Sequence, residues 1–205
     1  MSPIRLPRRQ LLSSVVMIAA PLAIARVTES QGLDAKSALS VRDAFLADME
    51  TVHEKTLALA RAIPEDKYDW RPTPEVRTVG NVLLHMSMEW YFILPAAVGG
   101  KMTPDWPSFP EARTTLFAIT AKKDILDQLD RAWTYARAQV TGVTAAQMLA
   151  AHPDSALRAA KLPLPPDYRF SALTAMLWQA GDSHEHLGQL ITYARSVGVT
   201  PPWSK

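Results

Sequence analysis

The chain has 205 residues, of which 48% are hydrophobic and 20% charged, and it contains no cysteine. That is enough apolar sequence for one domain with a sizeable core, and it excludes a disordered chain, disulfides, thiolate metal sites and cysteine nucleophiles. Formal net charge is +2; Arg5, Arg8 and Arg9 are the only charges before Arg26, so loss of the first 25 residues leaves −1, a balance that argues against a nucleic-acid surface.

Residues 1–25 read as an export signal. A basic start, Arg5 to Arg9, precedes the apolar run Leu11 to Leu22, which is too short to span a bilayer comfortably. Ala23-Ile-Ala25 supplies a small-x-small cleavage pattern, and the paired Arg8-Arg9 resembles a twin-arginine signal. The expected location is therefore periplasmic or extracellular, with no membrane attachment after cleavage. Residues 26–39 are polar and read as a flexible lead-in to a domain over 40–205.

Four long helices are expected in that domain. Phe45, Met49, Val52, Thr56, Leu59 and Ile63 recur at intervals of three and four, which predicts a helix from about Ser40 to Ile63, ended by Pro64. His53 sits beside the stripe and reads as a half-exposed surface residue. Pro72 and Pro74 set a loop over 68–75, with Tyr68 and Trp70 plugging one end of the core. Thr78 can cap a second helix reaching Leu94, with Val79, Val82, Leu83, Met86, Trp90 and Ile93 inward and His85, Glu89 and Phe92 on a flanking stripe. A long rigid loop over 99–110 follows, freeing the third helix from packing as a simple antiparallel neighbour of the second.

The third helix is expected from a Thr120 cap to Val140, with Ile125, Leu129, Ala132, Trp133 and Ala136 inward and Lys122, Lys123, Asp124, Asp127, Asp130 and Arg131 as a solvated face. A short helix over 145–149 follows Thr144. His152 falls in a loop, and 161–168 is a proline-rich connection. Ser171 can cap a fourth helix to about Val197, apolar almost all round and so central, with Gly198 closing it before Pro201-Pro202. No strands, internal repeats or phosphate-binding glycine loops stand out. The fold class is all-α, a four-helix bundle with long loops and a short extra helix.

One constellation carries chemistry. Asp182 and His186 are four apart, which places both on one face of the last helix, one turn apart. Two ligands from one turn plus a third from a facing helix suit a metal site in a bundle, and His85 on the second helix is the third. The ring nitrogens of His85 and His186 should then approach closely enough to share one ion, with Asp182 facing the same space. His184 is two residues from each and should point elsewhere.

The stretches 62–80, continuing to Leu84-His85, and His184-Glu-His-Leu-Gly-Gln-Leu-Ile-Thr-Tyr-Ala-Arg195 resemble the DinB-like superfamily, as does the ending Gly198-Val-Thr-Pro-Pro-Trp203. The resemblance covers about Ser40 to Lys205. It implies a four-helix bundle that holds a divalent metal, zinc or nickel, on three histidines, one from the second helix and two from the last. His85 matches the first of these positions and His186 the third. The middle position falls on Asp182, a departure that still allows a two-histidine, one-carboxylate site with an open coordination place.

These readings support a metal-dependent hydrolase or small-thiol transferase acting on a small molecule, with Glu89 or Glu185 as base or supporting carboxylate. Export disfavours the thiol route, because small cytoplasmic thiols are scarce outside the cell. A non-catalytic metal or ligand-binding module, or a structural bundle with a degenerate site, are the competing readings. A homodimer is compatible with all three.

Overall fold

The computed structural model describes residues 33–98, 109–152 and 170–204. The leader and most of the lead-in lie outside those residues. So do most of the 99–110 loop and the proline-rich connection.

The first helix, α1 (Ala35–Ala62), begins earlier than the stripe implied, because Asp34 accepts a hydrogen bond from the Ser37 backbone at 2.7 Å and caps it. The lead-in therefore ends before residue 35. All six expected stripe residues of α1 are buried. A single 3-10 turn at Glu65–Lys67 leads into the 68–75 loop.

That loop does more than fill space. The Tyr68 hydroxyl donates to the Ala60 carbonyl at 2.8 Å, while the Trp70 and Tyr68 carbonyls accept the first amides of the next helix, from Val79 at 3.0 Å and Gly80 at 2.9 Å. A Cβ at Gly80 would sit 3.1 Å from the end of the Ile125 side chain and 3.4 Å from the Tyr68 carbonyl, so glycine eases this close approach. Thr78 caps α2 (Val79–Ala97) as expected, through Asn81 at 3.2 Å. Pro95 does not end α2: it falls in the last turn, where its missing N–H removes a single bond.

A helix absent from the sequence reading, α3 (Phe109–Phe117), takes up the end of the expected loop. The next, α4, runs Lys122–Thr141 and has no side-chain cap, so Thr120 does not play that part. Its first residue is tied down instead. Lys122 donates to the carbonyls of Arg61 at 2.9 Å and Ile63 at 2.6 Å, placing a cation on the carbonyl end of α1. Lys122 is thus a structural link rather than a solvated charge.

Thr144 and Gln147 form a capping box on the short α5 (Ala145–Leu149). Two two-residue strands, β1 (Ala151–His152) and β2 (Phe170–Ser171), pair antiparallel; they were not expected, being too short to leave a period-two pattern. Ser171 caps α6 (Ala172–Ser196) through Thr174. Gly198 takes φ +84° and closes α6 with paired bonds, Val199 to the Ala194 carbonyl at 2.8 Å and Gly198 to that of Arg195 at 3.1 Å.

The four long helices pack in a ring. Both α1 and α2 lie between α4 and α6. The long connection before α4 does not keep it from α2, since α2 and α4 share the bundle's largest contact. The centre holds Trp90 and Trp133 with rings 5.6 Å apart, beside Met49, Leu83, Met86 and Leu129. His53 belongs to this layer. It is only 5% exposed, its Nε2 lies 3.1 Å from Asp130, and its ring packs on both tryptophans, so the surface reading of His53 fails. The expectation for α6 also fails in part, because Leu177 is 63% exposed. Among the described residues no helix is long and apolar enough to cross a membrane.

Candidate metal centre

Two i,i+4 pairs face each other across the α2–α6 contact. On α2, His85 Nε2 and Glu89 Oε1 are 3.0 Å apart; on α6, His186 Nε2 and Asp182 Oδ2 are 3.5 Å apart. The two histidine rings meet edge-on with centroids 4.9 Å apart. One potential ligand atom from each of His85, Glu89, Asp182 and His186 falls within 4.8 Å of every other. The helix spacing builds each pair, and the side-by-side packing of α2 and α6 brings the pairs together.

The donor set suits a divalent cation. Ligand atoms on one tetrahedral zinc stand about 3.5 Å apart, so the widest pairs of this cluster would close by about 1 Å around an ion. Asp182 Oδ2, His186 Nε2 and His85 Nδ1 are buried and make no hydrogen bond. Buried polar atoms without close partners are costly, and two of these three, Asp182 Oδ2 and His186 Nε2, face only each other, at 3.5 Å. Two carboxylates would neutralise the ion, and two imidazoles match its softness.

The electrostatics show how tightly the groups are coupled. Burial, then the Asp182 carboxylate, push Glu89 from 4.5 up to about 9, so it holds a proton. Burial opposes ionisation of Asp182, but the neighbouring His186 and Glu89 outweigh that and hold it at about 2. His85 falls to about 4, through burial first and then the fields of Arg77 and His186. Burial disfavours a charged His186, yet Asp182, Glu89 and Gln189 together raise it. Metal and protons would compete for these groups, so metal uptake should weaken as pH falls.

Neighbouring residues brace the cluster. Gln179 Nε2 donates to Glu89 Oε2 at 3.4 Å and to Ser183 Oγ at 3.2 Å, and Trp90 Nε1 donates to the same serine at 3.3 Å. Gln189 Oε1 faces His186 Nδ1 at 3.2 Å. None of Gln179, Ser183 and Gln189 was singled out from sequence. The available signal was a buried face of α6 carrying polar residues at 179, 183, 186 and 189, in register with Asp182.

Of the sequence candidates, His85, Asp182 and His186 come together, and Glu89 joins them as a potential ligand. Glu185 does not: it is exposed, off the face that carries Asp182 and His186. His184 turns outward, as expected, and pairs with Asp48 at 2.9 Å.

Comparison with known proteins gives the same fold. The family model for the DinB superfamily matches residues 48–190, a span that includes all four cluster residues. A crystal structure of a DinB-like protein from Bacillus cereus is 15% identical with a TM-score of 0.58, covering 80% of this chain and 97% of that one. A DinB-family structure from Exiguobacterium sibiricum is 20% identical with a TM-score of 0.51, covering 77% and 92%. At these identities the likeness concerns the fold. No curated protein sequence matches the chain.

Proposed function

The chain belongs to the DinB superfamily, and from that footing we propose that it is a divalent-metal enzyme, with zinc or nickel held by His85, Asp182 and His186. The single observation that carries this reading is the convergence of His85, Glu89, Asp182 and His186, with one potential ligand atom from each within 4.8 Å of every other. When bound, the ion would supply a Lewis acid that lowers the pKa of a bound water or thiol.

The chain's own residues would do the rest. Glu89 is buried, within 3.0 Å of His85, and holds its proton at neutral pH. It is placed to take or return a proton beside the reacting group, and Gln179 fixes its second oxygen. The fields of the exposed Arg77 and Arg113 reach His85, which favours approach of an anionic small molecule. Hydrolysis is preferred over thiol transfer because the leader implies work outside the cytoplasm.

A second reading has one observation behind it. The close His85–Glu89 pair on α2 gives two of the polar groups a partner without an ion. A non-catalytic binding bundle, or a structural one, would look the same there.

Elemental analysis of protein purified without a histidine tag, beside His85→Ala and Asp182→Ala, tests the proposal. The expected result is about one equivalent of zinc or nickel in the wild type, lost in both variants. Wild-type protein that takes up no metal after reconstitution refutes it. Metal lost only in the His85 variant removes Asp182 from the ligand set.

A further inference from the structure

A histidine binds a metal through a ring nitrogen that carries no proton, so the other nitrogen must hold it. At His186 the two nitrogens have different surroundings. Its Nε2 makes no close hydrogen bond: Asp182 Oδ2 stands 3.5 Å away, and the His85 ring lies edge-on with centroids 4.9 Å apart. Its Nδ1 lies 3.2 Å from the Gln189 carbonyl oxygen. An amide carbonyl only accepts, so in the neutral ring the proton belongs on Nδ1 and the Nε2 lone pair is left facing Asp182.

Gln189 is itself held. Its Nε2 donates to the Tyr193 hydroxyl at 2.9 Å. The Tyr193 ring packs edge-on against Trp70, with centroids 5.4 Å apart. Residues 186, 189 and 193 share one face of α6, so a continuous chain runs from the 68–75 loop to the ring of His186. The reversed amide, with its nitrogen toward His186, would put the ring proton on Nε2, where it blocks the lone pair.

We propose that Gln189 is a positioning residue of the metal centre, whose carbonyl holds His186 in the Nδ1–H tautomer, with Tyr193 as its anchor. This rests on the metal reading above, but its test separates the two. Gln189→Leu removes the acceptor. Gln189→Glu keeps an acceptor and has no amide N–H to present, so it can only favour the same tautomer. Tyr193→Phe frees the amide to turn.

Zinc affinity would be measured by chelator competition on the folded protein and the three variants, with melting of the metal-free proteins as a check on folding. Removing such a partner costs about 10–100-fold in metal affinity. Gln189→Leu should show that loss, Tyr193→Phe a smaller one, and Gln189→Glu wild-type affinity or better. Equal affinity in wild type and Gln189→Leu overturns the assignment, and so does a Glu variant as weak as the Leu variant. Wild-type protein that binds no zinc refutes the metal reading instead. In that case the histidine-ring nitrogen NMR spectrum of the metal-free protein in alkaline buffer, with His186→Ala to identify the signal, decides the tautomer directly. A proton on Nδ1 upholds the role of Gln189, and one on Nε2 overturns it.

Discussion

Glu89→Gln should make the metal-free protein more stable while weakening its hold on metal. Burial and the Asp182 carboxylate raise Glu89 from 4.5 to about 9. A carboxyl raised on folding contributes its full stability below the unfolded value and loses it as pH rises toward the folded one. Each pH unit in that window withdraws about 1.4 kcal/mol, so near pH 7 the group costs folding on the order of 3 kcal/mol. The Glu89 side chain is only 5% exposed, so solvent screening takes little from that figure. Glutamine cannot ionise and can keep a hydrogen bond with Gln179. Urea unfolding in chelator is the assay. The variant should match wild type within about 1 kcal/mol near pH 5, gain on the order of 3 kcal/mol near pH 7, and gain more near pH 8. Zinc affinity of the same variant should fall. A stability difference that does not change with pH would refute the reasoning, because it would mean that Glu89 ionises alike in the folded and unfolded chains.

Two further outcomes are expected. Asp182→His should retain about one equivalent of zinc, and it removes the carboxylate that raises His186, so zinc uptake should persist to lower pH than in the wild type; a pH series of bound zinc checks this, and loss of metal would show that the site needs the carboxylate. His53, lowered chiefly by burial, stays neutral when folded, so its stability contribution is complete above about pH 6.5 and is lost as pH falls. His53→Leu should therefore gain on wild type as the solution is acidified below that value, measured by denaturant midpoints.

Glu89 and the chemistry of α6 also show how far local pattern reaches. The stripe Phe45 to Ile63 and the stripe Val79 to Ile93 are buried as their spacing predicts, because periodicity reports which helix face meets the core. The caps at Thr78, Thr144 and Ser171 and the Gly198 closure were legible for the same reason: each is made within a few residues. The pairing of Asp182 with His186 was legible from four-residue spacing alone. The misreadings of His53 and Lys122 were set from a distance. His53 looked like a surface residue until Trp90 and Trp133, from two other helices, closed over it. Lys122 looked solvated until the carbonyl end of α1 met it.

The sequence by itself determined the four long helices, several of their caps, and two polar pairs each confined to one helix turn. Those are local properties, decided by side-chain spacing and backbone capping. Only the tertiary structure decided that the His85–Glu89 turn and the Asp182–His186 turn sit at the same level, and that Gln179 and Gln189 brace them. Helix rotation and register depend on how all the buried side chains fit at once, and the spacing within any single helix does not contain that information.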